Sequence, residues 1–383
     1  MPDLVTRRVC LLGFGNVGRR FCELVARKGD ELAVDHGLRV LFAAVGTGSH
    51  GSLLASVGLT AAEVLAVAAG RGGGEGEGSG KGRGAGGRAG GPGMFPDPVT
   101  PGIDLIAAGA ADLLVEATPL DPHGGRLAIA HLDAGLTYGM DAITVNKGPI
   151  AWDYRRLADL AASRGRRLKF EGAVMDGCPV FSLFDSCLPG CRLQGFDAVF
   201  NSTTNYILDA MGEGVGFADA LAHVQAQGYA EADPAHDIDG HDAAAKTAAL
   251  ANVLMDAGMT PDDVPKDSIR GVTVERVTAT QAAGRRLRVV CSAELAGEAV
   301  AARGAPPGGG TAAPAGAGGR VRATVRLTEL APEHPLFSAG GSTLSVLLHT
   351  DLMGTVQVAE HDALPDQTAY AIYSDLLAIH EGR

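Results

Sequence analysis

Residues 8–18 read Arg8-Val9-Cys10-Leu11-Leu12-Gly13-Phe14-Gly15-Asn16-Val17-Gly18, an apolar run that passes straight into a glycine hexapeptide. Helical spacing follows at once, with Val17, Phe21, Leu24 and Val25 on one stripe. In a strand-turn-helix of this kind Gly13 permits the tight reversal, Gly15 lets the backbone approach a pyrophosphate, and Gly18 allows close helix packing. The phosphates then lie at the positive end of the helix. The hexapeptide alone is a weak signal. Its setting between strand and helix makes Gly13, Phe14, Gly15, Asn16, Val17 and Gly18 the expected cradle of a dinucleotide.

Working outward, apolar strand patterns recur at 38–45, 113–116 and 142–145, with a helix expected over 124–134 and Gly135 as its stop. Alternation of this kind predicts an α/β domain, a parallel sheet with helices on its faces. From Tyr154 the order changes. A basic amphipathic helix to Arg164 precedes strands near 168–171 and 195–200, helices at 217–227 and 242–255, and strands at 271–277, 287–295, 321–330 and 342–349. That order suits an α+β substrate domain built on a mixed sheet. A last helix, about 367–379, carries Tyr370, Tyr373, Leu376 and Leu377 as a stripe. The expected organisation is a dinucleotide-binding domain over 1–152, a second domain over 153–350, and a segment 351–383 that returns to the first.

Two tracts stand apart. Residues 70–93 hold 14 glycines in 24 positions, and 304–319 hold 7 glycines and 3 prolines in 16. Neither has the apolar surface to offset its ordering entropy, so both read as surface insertions.

The chain has 383 residues and a net charge of -12, enough length for two domains and the wrong sign for general attraction to nucleic acid or anionic lipid. Its six cysteines show no paired framework, and no stretch approaches the roughly 20 apolar residues of a membrane helix. The expectation is a cytoplasmic protein with a small-molecule substrate.

The strand at 38–45 ends in Val45-Gly46-Thr47-Gly48-Ser49-His50. An acid here would accept the ribose 2′-hydroxyl of NAD and repel a 2′-phosphate. None is present, and Thr47, Ser49 and His50 are small donors, so NADP is favoured over NAD.

The densest polar cluster runs Gly228-Tyr229-Ala230-Glu231-Ala232-Asp233-Pro234, then Asp237-Ile238-Asp239-Gly240-His241-Asp242, then Lys246. Asp239 reads as an N-cap, Asp242 as a first-turn acid, and Lys246 as its neighbour four residues on. In an Ala-rich helix, partial desolvation would lower the pKa of Lys246 toward that of a useful acid. An exposed ion pair is the plain alternative. Metal readings of Asp237 with Asp239, of His236 with His241, or of Cys187 with Cys191 lack the remaining ligands.

Phe200-Asn201-Ser202-Thr203-Thr204-Asn205-Tyr206-Ile207-Leu208 resembles the NGTTNYIL motif of the homoserine dehydrogenase family, and 228–246 resembles its GYAEADPxxDIxGxDAAxK. Val145-Asn146-Lys147-Gly148-Pro149 is similar to its TANKGP, and 171–179 to its glutamate-started glycine turn. The motifs stand in the family's order. The resemblance implies reversible hydride transfer between NADP or NAD and L-aspartate 4-semialdehyde, giving L-homoserine on the way to threonine and methionine, by a homodimer. It further implies Lys246 as proton donor and Lys147 as a second essential lysine near nicotinamide and substrate. Glu231 and Asp242 become the substrate-binding acids, with Asp237 a further candidate, and Thr118 and Gly228 contact the cofactor. A sodium ion would be held by backbone oxygens of Glu171, Val174, Asp176 and Cys178. The chain departs from the family at Ser202, Asp176 and Cys178, and at 359–366, where a GxGAG turn is usual. The competing readings are a reductase of another small carbonyl and a cofactor-sensing binding protein. Thioester chemistry is set aside, because no cysteine stands beside a histidine base.

Overall fold

A computed structural model describes residues 4–70, 95–121, 124–227, 230, 233–296 and 321–383. The glycine-rich tracts, Gly228 and Glu231 lie outside these residues, apart from Gly70.

The chain begins β1 (Val5–Leu12), α1 (Asn16–Asp35), β2 (Leu38–Gly46), β3 (Ser52–Leu59), α2 (Ala61–Ala68), α3 (Gly102–Ala107), β4 (Leu113–Glu116), α4 (Arg126–Thr137), β5 (Asp141–Thr144), α5 (Lys147–Ser163) and β6 (Leu168–Lys169). These strands form one sheet in the order β3-β2-β1-β4-β5-β6, parallel except for the antiparallel pair β2–β3. Val9, Leu11, Leu113, Leu114, Val115 and Ile143 are fully buried because helices cover both faces, which is why these strands read as unbroken apolar runs.

Next come β7 (Leu193–Val199), α6 (Ser202–Gly212), α7 (Phe217–Ala226), α8 (Ala235–Ile238), α9 (His241–Leu254), α10 (Val274–Ala282), β8 (Arg286–Leu295), β9 (Val321–Leu330), β10 (Leu344–Thr350), β11 (Thr355–Glu360) and α11 (Pro365–His380). The second sheet is wholly antiparallel, ordered β11-β10-β7-β8-β9. One core joins its inner face to α6, α7, α9 and α10. The last helix, α11, lies against α1, where Arg20 pairs with Asp366 at 2.8 Å and His380 Nε2 meets His36 O at 2.8 Å.

Several local expectations are corrected. Gly135 does not stop a helix but lies within α4, where a Cβ would stand 2.7 Å from Leu114 Cδ2, so its bareness lets the helix sit on the sheet. Residues 271–277, rich in β-branched side chains, give α10 and not a strand: Thr273 caps it by accepting from Arg276 N, and Val277 and Thr280 bury one face. The helix expected from Tyr154 begins at Lys147, with a kink at Asp153. Leu168–Lys169, expected in the second domain, is the edge strand of the first sheet, and Thr355–Glu360 belongs to the second sheet.

Candidate active site

The carboxyl ends of β1, β4 and β5 lie side by side, and each opens into a turn that carries part of the site. After β1, Gly13 has φ +98°, and a Cβ there would fall 2.1 Å from Ala117 O, a place only glycine can occupy. An added Cβ at Gly15 would meet nothing within 4 Å. Gly15 is also the N-cap of α1, and no side chain caps that end. Open space in front of free helix amides fits a pyrophosphate. After β4 comes Thr118, and after β5 comes Asn146, whose side chain accepts from Gly148 N at 3.0 Å and so starts α5 at Lys147.

The second half of the site is delivered by α9. Its buried alanines, Ala243, Ala244, Ala245, Ala248 and Ala249 among them, allow α9 to pack closely on α5, its principal helical neighbour. That contact brings Asp242 between two ammonium groups: Asp242 Oδ1 lies 2.8 Å from Lys147 Nζ, and Oδ2 lies 3.3 Å from Lys246 Nζ. Lys246 also donates to Phe200 O at 2.8 Å. This is no exposed ion pair, since the side chains of Lys147, Lys246 and Asp242 are only 18, 16 and 7% exposed.

Two details differ from the sequence reading. The N-cap of α9 is Gly240, at φ +78°, and not Asp239, whose carboxylate is drawn off by Arg270 at 2.6 and 2.8 Å and by Ser268 Oγ at 2.8 Å. The pKa of Lys246 is raised, not lowered. Burial is the largest influence and pushes it down, but Asp242, Asp176 and Asp237 together push it further up. Asp242 itself is opposed by burial, and the two lysines and Asn201 overcome this, holding its carboxyl well below the usual range. Asp237 is shifted upward by burial and then by Asp242.

Asn201 is a member that sequence reasoning missed. Its Oδ1 accepts from Thr204 N at 2.8 Å as the cap of α6, while Nδ2 donates to Asp237 Oδ1 at 2.8 Å and Asp242 Oδ2 at 2.9 Å. An asparagine just before Ser-Thr-Thr is a legible cap signal. Glu360, at the end of β11, was missed as well. It is 9% exposed, its Oε2 has no hydrogen-bond partner among the described residues, and burial followed by Asp176 raises its pKa to about 7.

The other expected residues fall as follows. Thr47 Oγ1 donates to Gly51 O at 2.8 Å and accepts from His50 N at 2.7 Å, while Ser49 Oγ lies 2.8 Å from His50 Nδ1. Glu171 accepts from the amides of Val180, Phe181 and Ser182 at 2.7, 2.9 and 2.8 Å, which fixes the turn over 171–178. Within it Asp176 takes φ +47° and accepts from Thr368 Oγ1 at 2.9 Å, and Cys178 O accepts from Val180 N at 2.9 Å. The larger surface hollows lie away from the lysines, one of about 390 Å³ beside Asp197 and His349, another of about 470 Å³ between α5 and α11. Neither hollow is lined by Lys147, Asp242 or Lys246.

A family model described as homoserine dehydrogenase matches residues 179–377. The NAD(+)-dependent homoserine dehydrogenase of Pseudomonas canavaninivorans is 31% identical over 374 residues, 98% of this chain and 96% of that protein. Among solved structures, the homoserine dehydrogenase of Thermoplasma acidophilum superposes with TM-score 0.75 at 22% identity, covering 98% of this chain and 100% of that one. A hyperthermophilic archaeal homoserine dehydrogenase in complex with NADPH superposes with TM-score 0.73 at 22% identity, covering 99% of each chain. The two structures bear on the fold alone. Taken with the sequence match along nearly the whole length, the chain belongs to the homoserine dehydrogenase family.

Proposed function

We propose that this chain catalyses the reversible reduction of L-aspartate 4-semialdehyde to L-homoserine with NADPH or NADH. The observation that carries the reading is Asp242 held between Lys147 and Lys246, beside strand ends that open on the Gly13–Gly18 turn. When bound, the nicotinamide supplies the hydride. The aldehyde oxygen then becomes an alkoxide and needs a cationic donor. Lys246 stays protonated at neutral pH, since its pKa is raised. Among the described residues two of its N–H groups are directed by Phe200 O and Asp242, and we assign the third to the substrate oxygen. Lys147, held by the same carboxylate, adds positive charge near that oxygen. Asp237, with Glu231 beyond the described residues, is the partner for the substrate ammonium. A coupled steady-state assay tests this in both directions. Turnover of semialdehyde and of homoserine is expected, and its absence in folded protein refutes the reading.

Cofactor preference follows from the end of β2. Thr47, Ser49 and His50 present no carboxylate to a 2′-phosphate, which supports NADP, but Thr47 already donates its proton to Gly51 O. We therefore read a modest preference, at most about tenfold or roughly 1.4 kcal/mol. For Thr118 and Gly228 we retain cofactor contact. We read the turn at Glu171, Val174, Asp176 and Cys178 as a sodium site made of backbone oxygens. The left-handed Asp176 and Glu360 Oε2, which has no hydrogen-bond partner among the described residues and whose charge also acts on Cys178, support it. Sodium titration followed by tryptophan and tyrosine fluorescence checks that assignment. The homodimer and the cytoplasmic setting are inferred in the same way. Sedimentation velocity reads the first and cell fractionation the second. Among the described residues no helix is long and apolar enough to cross a membrane.

A further inference from the structure

Glu116 ends β4 and is 0% exposed. Its neighbours Leu113, Leu114 and Val115 serve the sheet as apolar core, so a carboxylate here needs a reason. Its Oε1 accepts from Thr118 N at 3.0 Å and from the Thr118 hydroxyl, and its Oε2 accepts from Thr144 Oγ1 at 2.8 Å. Thr144 is its register partner on β5. The Thr144 hydroxyl spends its proton on Oε2, which leaves that hydroxyl oxygen's lone pairs for Asn146 N, which donates to it at 3.0 Å. Asn146 in turn caps Gly148 N and reaches back to Thr118 O at 3.5 Å. The ring closes, and Lys147 sits between two of its tied residues.

The same ring touches the dinucleotide cradle. Thr118 N stands 2.8 Å from the place where a Gly13 Cβ would be, and Ala117 N donates to Leu12 O at 2.7 Å. We propose that Glu116 is a positioning residue: through Thr118 it sets the turn beside the cradle, and through Thr144 and Asn146 it sets Lys147 against Asp242. This rests on the roles given above to Lys147 and the Gly13–Gly18 turn. An apolar side chain of similar size could fill the space but could hold neither turn.

Three variants separate the two arms. Thr144→Val keeps shape and removes the whole Thr144 arm, both its bond to Glu116 Oε2 and the acceptor for Asn146 N, but leaves the Thr118 arm. So kcat falls about tenfold or more, the scale for a catalytic group displaced by a fraction of an ångström, while NADPH affinity holds. Glu116→Leu removes both arms, lowering kcat further and weakening NADPH binding. Glu116→Gln recovers most of the loss, since its amide oxygen accepts from Thr118 and its N–H faces the Thr144 oxygen. NADPH binding is read by nucleotide fluorescence. Lys147 exposure is read by acetic anhydride labelling mapped by mass spectrometry, and labelling rises several-fold in Thr144→Val relative to wild type. Wild-type protein without turnover counts against the proposed reaction, whereas the binding and labelling arms still test Glu116. Wild-type kcat and labelling in folded Thr144→Val, or a Glu116→Gln no better than Glu116→Leu, overturns the proposal. Should Glu116→Leu fail to fold, Thr144→Val alone decides.

Discussion

Replacing Asp242 by Asn removes the one carboxylate that both lysines share, with little change of shape. At an effective dielectric of about 20, unit charges at the observed 2.8 and 3.3 Å attract by roughly 6 and 5 kcal/mol. Desolvation offsets much of this, and leaving a buried charge without its partner typically costs about 3–5 kcal/mol. The effect on Lys246 has a definite sign. In the wild type burial pushes its pKa down and Asp242, Asp176 and Asp237 push it up by more, so its folded pKa stands above the ordinary lysine value. Homoserine oxidation needs this amine neutral, so the wild-type kcat/KM for homoserine rises with pH through the alkaline range and shows no plateau near neutrality. With Asp242 gone its upward push is lost, and the rising limb moves to lower pH. At neutral pH kcat for semialdehyde falls by about 10² or more, since the donor is no longer held in place. The pH dependence of kcat/KM in both directions, measured on wild type and Asp242→Asn, reads the shift. A limb that stays in place or moves to higher pH refutes the account of Lys246 as the proton-transferring group governed by Asp242.

Lys246→Ala should lower kcat by about 10² or more and leave NADPH affinity nearly unchanged in a fluorescence titration, because the lysine acts on the substrate oxygen. Gly15→Ala should keep the wild-type Tm, as an added methyl meets nothing within 4 Å, yet lose cofactor affinity at least about tenfold where the methyl enters pyrophosphate space. Gly13→Ala should lose both, because φ +98° and Ala117 O at 2.1 Å oppose any Cβ. Thr47→Asp should shift the ratio of NADPH to NADH kcat/KM toward NADH, chiefly through KM for NADPH. An unchanged ratio would mean that the end of β2 does not face the 2′-position.

The first sheet was legible because its strands are buried on both faces: Val9 to Leu12 and Leu113 to Val115 form apolar runs that no helix pattern imitates over so short a length. Antiparallel β3 was not. Its residues Ser52 to Leu59 run from buried to exposed with no alternation, since it is an edge strand whose one strand partner among the described residues is β2. The helix α6 was hidden for a different reason. Thr203, Thr204 and Asn205 are poor helix formers, and tertiary burial with the Asn201 cap overrides their preference. In α10 the β-branched run misled for the same cause, and Thr273 in front of Val274 was the signal that outweighed it.

At the site, spacing disclosed Asp242 and Lys246 and the family resemblance pointed to Lys147, but neither gave the direction in which they act on one another. Spacing of four along α9 places Asp242 beside Lys246 whatever surrounds them. Whether that lysine becomes easier or harder to deprotonate depends on Asp176 and Asp237, which arrive from a distant turn and a separate helix, and on Lys147 competing for the same carboxylate. These are long-range facts that local sequence does not carry. The same holds for Glu116: in sequence it is the acid at the end of an apolar strand, and only the pairing of β4 with β5 puts Thr144 opposite it. Two lysines, one shared carboxylate and a buried acid beneath the strand ends form a single unit whose members lie on β4, α5 and α9. Its charge balance is therefore set by how α9 packs on α5. Alanines buried in that helix are consequently part of the chemistry: enlarging Ala245, which adjoins the Gly148 and Trp152 side of the cleft, would lengthen the Lys147–Asp242 contact without touching either charged group.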